Sequence, residues 1–173
     1  MKAFVLAEPG KVKWFDAPEP QLVPYGAILK PVAVTPCSSD VHTVFGGGSK
    51  KQDNLVLGHE CIAEVVSVGE NVCDFKTGDR VAVPAITPDW REKSIQEGND
   101  RHASAPFSGH QLGRTQPGVF SERFLIKDAD TTLAHIPQKI SEEQALMSVD
   151  VVTTGFTGAE YADIKIGDTV CVI

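Results

Sequence analysis

Short apolar, partly β-branched runs cut apart by glycine and proline constrain this chain more than any other feature. Residues 4–6 read as a first strand. Residues 11–15 follow the Pro9-Gly10 turn, so the two are expected to pair as a hairpin. Residues 27–34 form a longer run closed by Pro36. Residues 62–68 stop at Gly69, residues 80–83 follow a turn over 76–79, and residues 120–126 are a further candidate. Strands this short, with turn residues between them, predict a mainly β domain, a small barrel or sandwich, and not a wound α/β sheet.

The pattern changes near residue 140. Ser141 with Gln144 three positions later has the form of a capping box, and Ala145, Leu146 and Val149 carry a helix onward. A second helix is expected over 150–162, weakened by Gly155 and Gly158. After a turn at 166–168, Thr169-Val170-Cys171-Val172-Ile173 reads as an apolar strand. Such a strand needs neighbours and cover on both faces. It is either a last strand of the barrel or the first strand of a second domain. Residues 90–118 are polar, rich in glycine and without period, and read as a long surface excursion, often functional at that length.

Charge and cysteine usage narrow the class. A net charge of -7 with no basic run argues against nucleic acid or an anionic membrane as partner. The apolar start is too short for a signal peptide, and no run approaches the ~20 residues of a membrane span. The cysteines at 37, 61, 73 and 171 form no Cys-x-x-Cys pair, so a reduced, cytoplasmic protein is expected.

Two segments carry chemistry. Cys37-Ser38-Ser39-Asp40-Val41-His42 follows Pro36 on a predicted loop, and Gly58-His59-Glu60 opens the strand at 62. Thiolate and imidazole are good zinc ligands, and neighbouring acids can orient them. Cys37 and His59 stand 22 positions apart, which is no short metal spacer. Taken singly, Cys37 reads as an inert buried thiol and His59 as a structural histidine.

The ordered series is more specific. Cys37-x-Ser39-Asp40-x-His42, Gly58-His59-Glu60, Val68-Gly69 and Gly78-Asp79-Arg80-Val81 together resemble the medium-chain zinc-dependent alcohol dehydrogenases. Pro84-Ala85-Ile86-Thr87-Pro88-Asp89-Trp90, Gly118-Val119-Phe120-x-Glu122, Asp128-Ala129-Asp130 and Thr153-Thr154-Gly155-Phe156-x-Gly158-Ala159-Glu160 look like their microbial NADP-dependent secondary alcohol dehydrogenase branch. The resemblance implies a GroES-like β-barrel catalytic domain over 1–148. It also implies, over 149–173, a helix and the first strand of a truncated Rossmann-type dinucleotide-binding domain.

It implies one catalytic Zn2+ held by Cys37, His59 and Asp150, with Glu60 as a conditional ligand. Asp150 would otherwise read as a helix N-cap. Zinc with one thiolate and one carboxylate is formally neutral, and adding Glu60 weakens its pull on an alcohol, so Glu60 is expected to bind transiently. Ser39 and His42 match a proton relay, and Asp40 matches the acid that receives the ring N–H of His59. Ala85, Ile86 and His110 match the wall of the alcohol pocket.

The implied reaction is reversible oxidation of a small secondary alcohol to a ketone with NADP, in a homotetrameric parent protein. The rival readings are a non-catalytic GroES-like module and a zinc-dependent polyol or aldehyde dehydrogenase. This chain alone is expected neither to bind nucleotide tightly nor to turn over alcohol.

Several residues depart from the family. Ala63 stands where a glycine is usual, and His110 where a tryptophan is common. Residues 103–116 diverge most. Gly46-Gly47-Gly48 reads as a flexible loop near the pocket and not a phosphate cradle. Residues 85–115 contain no cysteine, so no second, structural zinc is expected, and Cys61, Cys73 and Cys171 read as packing residues.

Overall fold

The expected hairpin forms: β1 (Lys2–Glu8) and β2 (Lys11–Asp16) pair antiparallel, with Phe4 opposite Trp14. In the computed structural model, residues 1–46, 54–89, 92–98 and 109–172 are described. β1 pairs on its other side with the short β4 (Leu55–Val56). The larger sheet has five antiparallel strands in the order β7-β3-β5-β6-β8. These are β3 (Ala27–Val34), β5 (Cys61–Val68), β6 (Arg80–Val83), β7 (Phe124–Ile126) and β8 (Ala134–His135).

The main core lies against the larger sheet, and the smaller sheet buries its own clusters through Ala3, Val5, Leu6, Leu55 and Val56. Leu29, Ala63, Val65, Val81, Val83, Val119 and Phe124 are buried together. Phe4 ties the smaller sheet to the wall: its amide donates to the Phe120 carbonyl at 2.7 Å, and its carbonyl accepts from the Leu57 amide at 3.1 Å. The mainly β expectation therefore holds. The Ala63 methyl group causes no conflict; the residue is fully buried in the main core, opposite Pro31 and Val81.

Four expectations need correction. Residues 38–45 are a helix, α1 (Ser38–Phe45), and not a loop. Of the strand expected over 120–126, only β7 joins the larger sheet; Phe120 and Ser121 turn to β1 instead, where Ser121 bridges Ala3. The described part of 90–118 is no simple surface excursion: α2 (Lys93–Gln96) buries Ile95, and Leu112 is a fully buried core residue. Residues 169–172 make no strand; they are exposed and have no ladder partner among the described residues, and a single strand cannot satisfy its own backbone. Gly47, Gly48, Trp90, residues 103–108 and Ile173 lie outside the described residues.

The C-terminal helices follow the sequence closely. α4 (Glu142–Ser148) begins with the expected box: Gln144 N–H donates to Ser141 Oγ at 3.3 Å, and Ser141 N–H donates to Gln144 Oε1 at 3.1 Å. α4 lies on β5 through Ile62, Ala145 and Val149. Arg80 of β6 reaches the same helix, donating to the Ile140 carbonyl at 3.2 Å and pairing with Glu142 at 2.9 Å. α3 (Ala129–Thr132) precedes β8, and α5 (Val151–Tyr161) follows α4 with no buried residue.

Candidate metal centre

Strand register brings the distant segments together. β3 and β5 run antiparallel with Val34 opposite Cys61. The residues just after β3 therefore face those just before β5, and the Thr35 amide bonds to the Glu60 carbonyl at 3.4 Å. Cys37 lies three residues past the end of β3, and His59 and Glu60 lie at the entrance of β5. α4, seated on Ile62, ends beside the same entrance and delivers Asp150. Cys37, His59, Glu60 and Asp150 each offer a ligand atom, and these atoms all lie within 4.8 Å of one another.

Asp40 organises two of the four. It is the third residue of α1, and its Oδ2 accepts from the Cys37 amide at 3.0 Å. Its Oδ1 accepts from the Gly58 amide at 3.1 Å and stands 3.3 Å from His59 Nδ1. Asp40 thus closes a capping box from N3 back to Cys37, a residue that seldom caps helices, so α1 carries no usual start signal in its sequence. Engaging Nδ1 leaves Nε2 of His59 free to face the cluster, where Ser39 Oγ lies 3.2 Å away and Glu60 Oε1 3.8 Å away.

Backbone packing fixes His59 from behind. Gly58 has φ +88, and a Cβ there would fall 2.4 Å from the Phe120 ring. Gly118 packs so closely that a Cβ would meet the Leu57 and Gly58 carbonyls at 2.3 Å. The sequence showed these glycines only as motif letters; the signal that they matter is their need to let backbone meet backbone.

The electrostatics suit a cation. His59 is buried, which lowers its pKa, but the hydrogen bond and charge of Asp40, followed by those of Cys37, outweigh burial and raise it to about 9. Burial pushes Asp40 up, yet His59 and the Cys37 and Gly58 amides hold it below the usual carboxylate value. Glu60 is 1% exposed, and burial lifts its carboxyl; Cys37 opposes that lift and the charge of Asp150 adds to it. Neither Glu60 oxygen has a hydrogen-bond partner. A buried carboxylate left without partners is costly unless something positive meets it. One thiol, one imidazole and two carboxylates with an orphaned buried oxygen pair fit a zinc ion.

The other expected residues fall around this cluster. Ser39 is half-buried in α1, and His42 is exposed three residues further along the same helix. Asp150 sits at the N-cap of α5 without capping it; its Oδ1 accepts from Thr154 Oγ1 instead. Ala85 and Ile86 line a cleft of ≈ 450 Å³ that Val149, Asp150, Thr153 and Thr154 also line. His110 does not line this cleft; its ring centroid is 4.2 Å from that of His59. Burial and then the charges of His59 and Arg114 push its pKa down to about 4.

All four cysteines are free. Only Cys61 packs in the core; Cys73 and Cys171 are exposed, which corrects their reading as packing residues.

A mainly β domain here gathers a thiol, an imidazole and two carboxylates at one strand entrance, a donor set that could hold a metal ion. The chain belongs to the alcohol dehydrogenase GroES-like domain family, whose model matches residues 24–138, and so to a family of oxidoreductases. It is 49% identical over its whole length to an NADP-dependent isopropanol dehydrogenase of Thermoanaerobacter brockii, covering 49% of that protein. It is 46% identical to the NADP-dependent isopropanol dehydrogenase of Clostridium beijerinckii, again over the whole chain and 49% of the relative. Among solved structures, the apo form of zinc dependent alcohol dehydrogenase 2 from Streptococcus pneumonia superposes with a TM-score of 0.80 at 30% identity, over 91% of this chain and 44% of that one. The chain spans about half the length of the curated relatives it matches.

Proposed function

We propose that this chain is the zinc-binding, alcohol-holding part of an oxidoreductase that interconverts small secondary alcohols and ketones with NADP. One observation carries the reading: four side chains from three separate segments converge within 4.8 Å in a chain whose relatives are named for that reaction. Residues 1–148 are the GroES-like catalytic domain, and residues 149–173 begin a dinucleotide-binding domain. The protein is a cytoplasmic homotetramer. No helix among the described residues is long and apolar enough to cross a membrane.

Cys37, His59 and Asp150 would hold the zinc, with Glu60 as a conditional ligand beside them. When bound, the zinc acts as a Lewis acid that makes an alcohol hydroxyl easier to deprotonate. Ser39 would relay that proton, its oxygen accepting it as its own hydroxyl proton passes to the His42 imidazole; the hydroxyl lies 3.2 Å from His59 Nε2, at the edge of the cluster. His42 passes the proton to solvent; it is exposed and one helical turn along α1 from Ser39. Asp40 holds His59 in the orientation and tautomer that present Nε2. Ala85 and Ile86 give the substrate an apolar wall beside Asp150.

The test is the full-length protein with zinc, assayed for propan-2-ol oxidation with NADP and with NAD. The reading expects turnover that needs zinc and prefers NADP. Zinc-independent turnover, or none with any small secondary alcohol, would overturn it.

A further inference from the structure

α5 starts without the cap its sequence offers. Asp is among the preferred N-cap residues, because its carboxylate can accept from the second or third amide of the helix it opens. Ser141 does this for α4, from extended backbone at φ -73 and ψ 163. Asp150 holds the same position in α5, but at φ -147 and ψ -64, and its side chain makes no cap bond.

The carboxylate is engaged one turn further along instead. Thr154 Oγ1 donates to Asp150 Oδ1 at 2.5 Å. The Asp150 carbonyl is served separately, by the Thr154 amide at 2.7 Å and the Thr153 hydroxyl at 2.7 Å. Of the two adjacent threonine hydroxyls, one therefore holds the backbone of Asp150 and the other its side chain.

The side-chain bond decides where the carboxylate goes. α5 has no buried residue, so core packing does not fix its first turn. Asp150 and Glu60 bring two carboxylates into one cluster, and like charges favour their separation. An Asp at a helix start also has a ready alternative, swinging back onto the amides of the first turn. A hydroxyl bonded to one carboxylate oxygen opposes both movements and leaves the other oxygen for a cation; bonds to an ionised acceptor are among the stronger ones.

We propose that Thr154 is a positioning residue for the metal site, its hydroxyl holding the Asp150 carboxylate in the cluster and away from the cap of α5. The inference rests on the proposed reading of Asp150 as a zinc ligand and deepens it. Loss of the hydroxyl frees Asp150 to cap the helix. The metal site is then weakened while the metal-free helix gains a cap. A threonine with a merely structural role would do the reverse, lowering stability and leaving the metal site as it was.

The experiment uses the full-length protein stripped of metal, as wild type, Thr154→Val, Thr154→Ser, Thr153→Val and Asp150→Ala. Competition with a chromophoric chelator gives the zinc affinity, and thermal melting gives the stability of the metal-free form. T154V is expected to bind zinc about tenfold more weakly than wild type, and T154S and T153V to stay within about threefold of it. Metal-free T154V is expected to melt no lower than wild type, because the cap replaces the lost bond. An unchanged zinc affinity in T154V beside a weakened Asp150→Ala would overturn the role of Thr154 and leave the ligand reading intact. A loss in T154S equal to that in T154V, or a lower melting temperature of metal-free T154V, would also overturn it. If Asp150→Ala binds zinc as wild type does, the ligand reading fails and the inference fails with it.

Discussion

Asp40 Oδ1 lies 3.3 Å from His59 Nδ1 and 3.1 Å from the Gly58 amide nitrogen, so one carboxylate oxygen sets both the ring and the backbone of a proposed metal ligand. The other oxygen holds the Cys37 amide at 3.0 Å. Two proposed ligands from segments far apart in sequence are oriented by one side chain.

Asp40→Asn removes the charge and puts a donor where two amides and an imidazole already donate. Zinc affinity is expected to fall about 10- to 100-fold, with the fold retained, because outer partners of a ligand typically matter by that much. Competition with a chromophoric chelator measures it, and a change within threefold would show that Asp40 does not orient the site.

Gly58→Ala faces two obstacles, φ +88 and the Phe120 ring 2.4 Å from the new methyl group. A loss of about 2–4 kcal/mol is expected. Gly78→Ala isolates the backbone part: its φ is +90 and nothing lies within 4 Å, so about 1 kcal/mol is expected. Urea denaturation of both variants checks the difference. Equal losses would mean that the Phe120 contact contributes nothing.

Thiol labelling reports the site without an activity assay. In the zinc-loaded protein, Cys73 and Cys171 are exposed and should react at once. Cys37 should join them after chelation. Cys61 is fully buried, and burial pushes its thiol above the ordinary value, so it should react only on unfolding. Reaction of Cys37 at the same rate before and after chelation would contradict its role as a ligand.

The strands were legible in the sequence because apolar runs with turn residues between them leave little choice; β3 and β6 fall on the expected residues. α4 was legible from the Ser141 and Gln144 box. α1 was not, since Cys37 and Asp40 form a box with a thiol in the place of a hydroxyl. The four clustered residues could be named together only through the resemblance: their proximity depends on the β3–β5 register and on α4 lying over Ile62, neither of which has a local signature. The unpaired Nε2 of His110 was invisible in the sequence, because the lack of a partner is a property of packing alone.

The central claim is that Cys37, His59, Asp150 and Glu60 form one metal site, and cobalt(II) substitution of the full-length protein tests it most directly. About one cobalt per chain and a thiolate-to-cobalt charge-transfer band are expected, since a single thiol is among the proposed ligands. Cys37→Ser should abolish that band. A cobalt-loaded protein without a thiolate band, or a band that survives Cys37→Ser, would contradict the account.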